Sequence, residues 1–564
     1  MPRTNGKTSS MSRSSDESGG WRVLPAGVRG DVYLALAAVL ALTVVSLWVG
    51  LTDLSNSGMQ WADDGAQYAN GGAMMRDLIL SGDWLHPIDF AKSNYAQYPA
   101  FSVPYHPPGY PLLLGLWFTA VGLSYASARW FVAVCLAGLA SLFFGILRKQ
   151  GAAVQTAFLV SLLLVTAPGI ARWSRSTMSE IPGLLFVVAG SLCFLYWVEK
   201  KKAGWCWAAF ALALMAFFCR VLTAGVLPAW FLYLLVIRQW RRIRSPHLIA
   251  STATYLAVCG SWAVFASGFA TFETNLSSQD SLTWKSLALG LVALPEMVTW
   301  PTLVLGILGI VFGWSRSRAI IWFWGLWLVS YYCFQVALAA HETRYFLYAL
   351  PAICGLACVM FTRLSGSPRS RLAVGLTALV LVAMNAVAVM SMPGGITGHD
   401  RLAERMVTLR EPGNVLLSTW SDSDLIFHYR SRTTTSRQMI RGDRTLAIRL
   451  PEYAKVPPVP LASEPEVVLD IVRRGRIRYV VTASAIAPGP DDRPADMRLA
   501  HQAVTSMPEE FSLLGQFKLS FDFAGHREAT LFLWRFESEL PPGESELQVV
   551  IPTAGIVRDS GGEG

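Results

Sequence analysis

Long uncharged stretches recur along this chain and constrain it more than any other feature. Apolar runs of the length that spans a bilayer core, roughly 17 to 25 residues, follow one another from Val32 to Met392. A lipid-embedded backbone has no water to bond, so such runs are stable as helices or as strands of a closed barrel. Continuous rather than alternating hydrophobicity selects helices. Composition agrees: 53% of the 564 residues are hydrophobic and 15% are charged, against about 25% charged in a soluble domain. The expected class is an all-α polytopic membrane domain. The run at 32–51 follows a polar, basic stretch (1–30) expected to be a disordered cytoplasmic tail. That run is too long and too far in for a cleavable signal peptide, and it reads as the first span.

Basic residues collect on the cytoplasmic side of membrane proteins. Here they cluster in the N-terminal tail, at Arg148-Lys149, at Lys200-Lys201-Lys202, at Arg238 to Arg244, at Arg316 and Arg318, and at Arg363 to Arg371. Placing all of them inside predicts about eleven spans, near 32–52, 127–147, 152–169, 181–198, 203–219, 221–237, 247–268, 298–314, 319–339, 345–361 and 372–392. The N-terminus is then cytoplasmic and the C-terminal region extracytoplasmic. Residues 107–122, short and opened by two prolines, are expected to form a juxtamembrane or re-entrant helix on the outer face. The net charge of +9 is strung between spans and does not indicate nucleic acid. The eight cysteines lie in or beside apolar runs, with neither a disulfide framework nor a metal spacing, and read as small buried hydrophobes.

This topology places a selective set of ionisable residues outside. The first outer loop (53–106) carries Asp63, Asp64, Lys92 and His106. A second carries Arg172, Arg175 and Glu180, and a tight turn carries Arg220. Another loop spans about 269–297, and a last one carries His341, Glu342 and Arg344. Ionisable groups at the membrane need a reason. A carboxylate can take a proton from an acceptor hydroxyl, arginine and lysine can hold a phosphate leaving group, and aromatic rings can stack on sugar or line an isoprenoid groove. A phosphate leaving group requires no acid catalyst, so this is a minimal set for sugar transfer from a polyprenyl-phosphate donor.

The motifs resemble the GT-C glycosyltransferases, the group holding the protein O-mannosyltransferases and the lipid A aminoarabinose transferases. An acidic pair ahead of a tyrosine follows the first span, as Asp63-Asp64 and Tyr68. Counting back four from Tyr68 selects Asp64 as the base, with Asp63 in reserve and Gly65 where the family often has a second acid. His106-Pro107-Pro108 precedes an apolar helix. Arg175 to Pro182 fits an arginine-to-acid element ending in Glu180, with one extra residue. Arg220 opens a helix ahead of Val221-Leu222-Thr223, and Arg344-Tyr345 opens one containing Pro351. The resemblance implies an inverting glycosyltransferase with Asp64 as general base. Arg220, Arg344 and Lys92 would bind donor phosphate, and Glu180 would orient the acceptor or support the base. His106, Tyr68, Arg175, His341, Glu342 and Tyr345 would position substrate. No metal or cofactor is expected, and the acceptor, whether protein, lipid or polysaccharide, is unspecified. The expected setting is a bacterial plasma membrane.

Structural roles compete at each position. Asp63-Asp64 can cap a helix starting near Ala66, Glu180 can serve a helix dipole, Arg344 can reach lipid phosphate, and His341-Glu342 can be a surface turn. A transporter or flippase is the rival function, as is a non-catalytic envelope assembly protein; transporters place ionisable groups near the bilayer midplane, whereas these fall at span ends. From Pro393 apolar runs shorten. Segments 414–419, 477–484, 517–523 and 529–536 read as strands and 464–475 as a helix, predicting a small extracytoplasmic α/β domain over 393–540 and a disordered tail over 541–564.

Overall fold

The computed structural model describes residues 26–54, 62–101, 106–267, 284–337, 342–433, 437–448, 459–460, 462, 464–486, 493–522, 527–543, 545, 547, 550–551 and 555–556. Among them, seven helices are long and apolar enough to cross a membrane, or up to nine if each of two bent pairs is one span. The bends have local causes. Pro168 stops the helix Val154–Thr166, and the chain turns by 60° into Pro168–Ser174, because proline offers no amide and restricts the residue before it. The second pair turns by 106° around Thr299, which has φ 69°, ahead of Trp300-Pro301. Two more of the expected spans form shorter apolar helices, Ala203–Cys219 and Val221–Val236. By length and composition, seven to nine spans qualify among the described residues, and the two shorter apolar helices fall below that length.

Three of the basic helix ends, at Lys149, Lys200 and Arg242, meet at one end of the bundle. Lys149 pairs with Glu199 and lies 4.2 Å from the centre of the Tyr196 ring, while Arg242 Nη1 donates to the Trp197 carbonyl at 2.9 Å.

Residues 107–122 form the helix Gly109–Val121. At 1.5 Å per residue its 13 residues reach only about 20 Å, short of a bilayer core. It packs along the helix Ala62–Ser81 at glycine contacts. A Cβ on Gly72 would stand 2.9 Å from Leu114 Cγ, and one on Gly115 would stand 2.7 Å from Met75 Cβ, so only glycine permits this approach. Helix Ala62–Ser81 starts ahead of Asp63 and Asp64, not near Ala66. The acid pair lies inside its first turn, where the helix dipole favours negative charge, and does not cap it.

The C-terminal region holds a six-stranded mixed sheet. Its strands are β1 (Ile396–Thr397), β2 (Asn414–Ser418), β3 (Met439–Arg441), β4 (Ile477–Ala483), β5 (Phe511–Phe521) and β6 (Arg527–Phe536), in the order β1-β5-β6-β4-β2-β3. β2 runs parallel to β3 and β4, and the other pairings are antiparallel. Val415, Leu417, Tyr479 and Val481 belong to one apolar cluster, and Leu416 and Val480 to another. Both faces of the central strands are covered, which is why β2 reads as a continuous apolar run.

The sheet is joined to the membrane-helix part through helix Asp422–Arg430, all of whose residues are buried. Asn70 Nδ2 donates to the Ser423 carbonyl at 2.8 Å, and Arg430 Nη2 lies 2.6 Å from Asp77 Oδ2. Gln438 and Arg441 donate to the carbonyls of Ala96 and Pro99. The segment carrying Asp64 is thus clamped between the apolar helices and the sheet.

Candidate active site

The spacing from Asp64 to Tyr68 is one helical turn, so both side chains face the same way. Each reaches a different arginine. Arg344 Nη2 lies 2.8 Å from Asp64 Oδ2, and Arg220 Nη1 donates to the Tyr68 hydroxyl at 2.7 Å. Glu180 stands between the two arginines, its Oε1 lying 3.6 Å from Arg220 Nη2 and 3.8 Å from Arg344 Nε. Glu342 adds a third carboxylate, with Oε2 2.6 Å from Arg344 Nε and Oε1 2.9 Å from Nη2. Asp64, Tyr68, Glu180, Arg220, Glu342 and Arg344 form one connected cluster drawn from four separate parts of the chain.

Local structure explains the convergence. The segment from Arg175 to Glu180 folds against the first loop: Thr177 Oγ1 donates to the Gly65 carbonyl at 2.8 Å, Tyr110 hydroxyl donates to the Thr177 carbonyl at 2.8 Å, and Ser179 Oγ donates to the Tyr68 hydroxyl at 3.1 Å. Gly109 lets the His-Pro-Pro element close on Phe218, whose backbone carbonyl would lie 2.8 Å from an added Cβ. Arg220 is extended (φ −155°, ψ 121°) between Ala203–Cys219 and the 3₁₀ helix Val221–Gly225, and Arg344 lies in a second 3₁₀ helix, Thr343–Ala349. Helix Arg318–Ala337 fastens both short helices. Ser330 Oγ donates to Gly225 O at 2.6 Å, Tyr331 hydroxyl to Thr223 O at 2.9 Å, and Trp327 Nε1 to Tyr348 O at 2.8 Å. The Tyr331 and Tyr348 rings stack at 5.6 Å. Non-helical backbone among apolar helices requires such internal partners.

Electrostatics separates the acids. The Asp64 side chain is 30% exposed, whereas Glu180 is fully buried and neither of its oxygens has a hydrogen-bond partner. Burial works to raise the Asp64 pKa, but the Arg344 charge and hydrogen bond, with the Arg220 charge, overcome it and hold the carboxyl below its usual range. Burial pushes the His106 imidazole down to about 3, with Arg220 acting in the same direction, so it is neutral at physiological pH. Its ring stacks on Tyr68 at 4.8 Å. Burial raises the Tyr68 phenol well above its usual value, keeping it protonated.

Not every expected residue joins the cluster. Lys92 lies on helix Pro87–Gln97, half-exposed and 3.6 Å from Asp89. Arg175 pairs with Asp53 and donates to the Val389 carbonyl at 3.0 Å, so it ties helix ends together and does not join the cluster. Tyr345 does join, with both Arg220 and Arg344 lying 5.3–5.4 Å from its ring centre. The Asp63 side chain and His341 lie outside the described residues. Trp173, 5.6 Å below Arg344, was missed, as were Tyr348, Trp327, Ser330 and Tyr331. Trp173 sits in the helix Pro168–Ser174, two residues ahead of Arg175, and had a positional signal; the other four look like ordinary members of apolar runs. A cleft lined by Arg172, Trp173, Glu296, Thr343 and Pro393 opens beside the cluster. Among the described residues no group of three or more His, Cys, Asp or Glu could hold a metal ion.

Residues 105–265 match the family model described as dolichyl-phosphate-mannose-protein mannosyltransferase. That segment contains His106, Glu180 and Arg220. Over that segment the chain is similar to these mannosyltransferases, and its long apolar helices are those of an integral membrane protein. The chain is similar in fold to ArnT from Cupriavidus metallidurans, solved bound to undecaprenyl phosphate, at 16% identity with a TM-score of 0.58, covering 91% of this chain and 99% of that one. The apo structure of the same protein superposes equally well, at 16% identity and a TM-score of 0.57, covering 90% and 98%. No curated protein matches the chain in sequence.

Proposed function

We propose that this protein transfers a sugar from a polyprenyl-phosphate donor to a hydroxyl acceptor, with inversion at the anomeric carbon. The observation that carries the reading is the convergence of Asp64, Glu180, Arg220 and Arg344 through contacts of 2.8 to 3.8 Å. The ArnT structure of similar fold holds undecaprenyl phosphate, which is the leaving group such a donor would release. In the reaction the acceptor oxygen attacks the anomeric carbon, its proton passes to Asp64, and the bond to the phosphate oxygen breaks. The phosphate departs as an anion held by Arg344 and Arg220. Asp64 is the acid assigned this step because its side chain is partly accessible, whereas Glu180 is fully buried behind the arginines. Glu180 then acts on the arginines as their counter-charge and not on the acceptor.

We place the cluster on the extracytoplasmic side and count eleven crossings by including the two short helices and both bent pairs. The meeting of three of the basic helix ends at one end of the bundle supports this orientation. The β-sheet then lies outside as an accessory to acceptor binding. The test is an assay of purified protein with a panel of polyprenyl-phosphate sugars, comparing wild type with Asp64→Asn and Asp64→Ala. Transfer that survives both changes, and the same changes at Asp63, removes the base assignment.

A further inference from the structure

The cluster carries more acid than base. Asp64, Glu180 and Glu342 face Arg220 and Arg344, so among the described residues in contact there are three carboxylates for two guanidiniums. Adding an anionic phosphate to this group is unfavourable unless a carboxylate leaves. The three are not equally held. Glu180 is fully buried between both arginines, and Asp64 is carried on a packed helix that begins next to it. Glu342 is 42% exposed and sits in extended backbone (φ −120°, ψ 137°) just before the 3₁₀ helix that carries Arg344.

Glu342 also occupies a particular edge of Arg344. Its two oxygens lie against Nε and Nη2, the edge of the guanidinium fork that accepts carboxylate and phosphate interchangeably. The fit is imperfect. Only Nη2 makes an aligned hydrogen bond to Glu342, and among the described residues the buried Nε–H has no aligned hydrogen-bond partner although Oε2 is 2.6 Å away. A buried donor so placed is available to a better-aligned acceptor. An ion pair whose acid is this exposed is weakly held.

We infer that Glu342 is an internal stand-in for the donor phosphate, seated on Arg344 in the empty site and displaced when the lipid-linked phosphate binds. This rests on the reading that the site takes a polyprenyl phosphate. Glu342 then determines affinity and charge selectivity: a neutral lipid has no means of removing it from Arg344, whereas a phosphate competes for the same fork. Its exchange leaves Asp64 and Glu180 in place and restores balance between acid and arginine.

The experiment measures binding of undecaprenyl phosphate, undecaprenol and inorganic phosphate to the purified full-length protein and to Glu342→Gln, with thermal melts to check folding. Gln keeps the shape and removes the charge, so undecaprenyl phosphate is expected to bind about 1.5- to fivefold more tightly to the variant, the factor lost with a weak competing ion pair. Undecaprenol should bind both proteins equally. Unchanged or weaker binding of the phosphate lipid overturns the inference, because Glu342 would then be orienting Arg344. An equal gain for undecaprenol also overturns it, since the residue would be blocking the groove by bulk. A gain for inorganic phosphate without one for the lipid overturns the assignment to a lipid headgroup. If neither protein binds undecaprenyl phosphate, the donor reading itself fails and the stand-in falls with it.

Discussion

Two pairs of buried arginines serve opposite ends. Arg129 and Arg175 close helix ends. Arg129 donates to the Gly50 carbonyl at 2.7 Å, the Thr52 carbonyl at 2.9 Å and the Tyr125 hydroxyl at 3.1 Å, and Arg175 binds the Val389 carbonyl and Asp53. Their partners are mostly carbonyls left over where helices stop, groups that must be satisfied somewhere. Arg220 and Arg344 face side-chain acids and tyrosines instead, and around them, among the described residues, sit polar atoms with no hydrogen-bond partner: both oxygens of Glu180, Arg344 Nε and the Tyr348 hydroxyl, against Arg175 Nε in the other pair. Burial and charge alone do not separate the two pairs; the surplus of acid beside Arg220 and Arg344 does.

The comparison can be broken most severely at the acid. Asp64→Asn is expected to lower kcat by about 10²- to 10⁴-fold, the usual contribution of a positioned base, while the melting temperature stays near wild type. Its pH profile sharpens the same point. Asp64 has a depressed pKa in the folded protein, so transfer should hold through neutral and mildly acidic pH and fall only below the ordinary carboxylate range near 3.9. An acid limb near pH 6 to 7 would assign the step to another group. Next is Arg344→Met, expected to cost about 10²- to 10³-fold in turnover through lost stabilisation of the leaving phosphate, measured as kcat and donor KM separately.

Arg129→Met tests the other pair. It strands the Gly50 and Thr52 carbonyls, and a buried unsatisfied group costs about 1–3 kcal/mol. The expected result is a lowered melting temperature, with the kcat of the folded fraction close to unchanged; a specific loss of kcat at full stability would erase the distinction. The smallest effect is expected between sheet and loop. A double-mutant cycle of Arg430→Met and Asp77→Asn should return a coupling of about 0.5–3 kcal/mol in thermal stability, because Arg430 joins Asp77 across that boundary at 2.6 Å.

Much of this architecture was legible because its signals are local. Apolar runs named the helices, and β2, β4 and β6 fell within a residue or two of the segments expected from their apolar pattern. The acid and arginine motifs were legible in order because span ends are where charge is tolerated. What stayed hidden depends on partners distant in sequence. Arg175 reads as a motif residue until Asp53 and Val389 appear beside it, and the sequence does not tell that Lys92 stands apart from the cluster, beside Asp89. Ser330 and Tyr331 look like filler within an apolar helix, since nothing nearby tells which carbonyls they meet. The helix Asp422–Arg430 was missed because its nine residues mix acids, a histidine and an arginine, with too little apolar periodicity, and its burial comes entirely from tertiary contacts.

Helix Arg318–Ala337 holds the two short helices from consecutive turns, Gly225 and Thr223 through Ser330 and Tyr331, and Tyr348 through Trp327. Arg220 and Arg344 come from motifs far apart in the chain, yet they hang from one beam. A change on that face moves both cations at once, so neither motif is free to drift alone. The spacing of the two cations is thus set by the face of a third helix, in which neither motif has a residue.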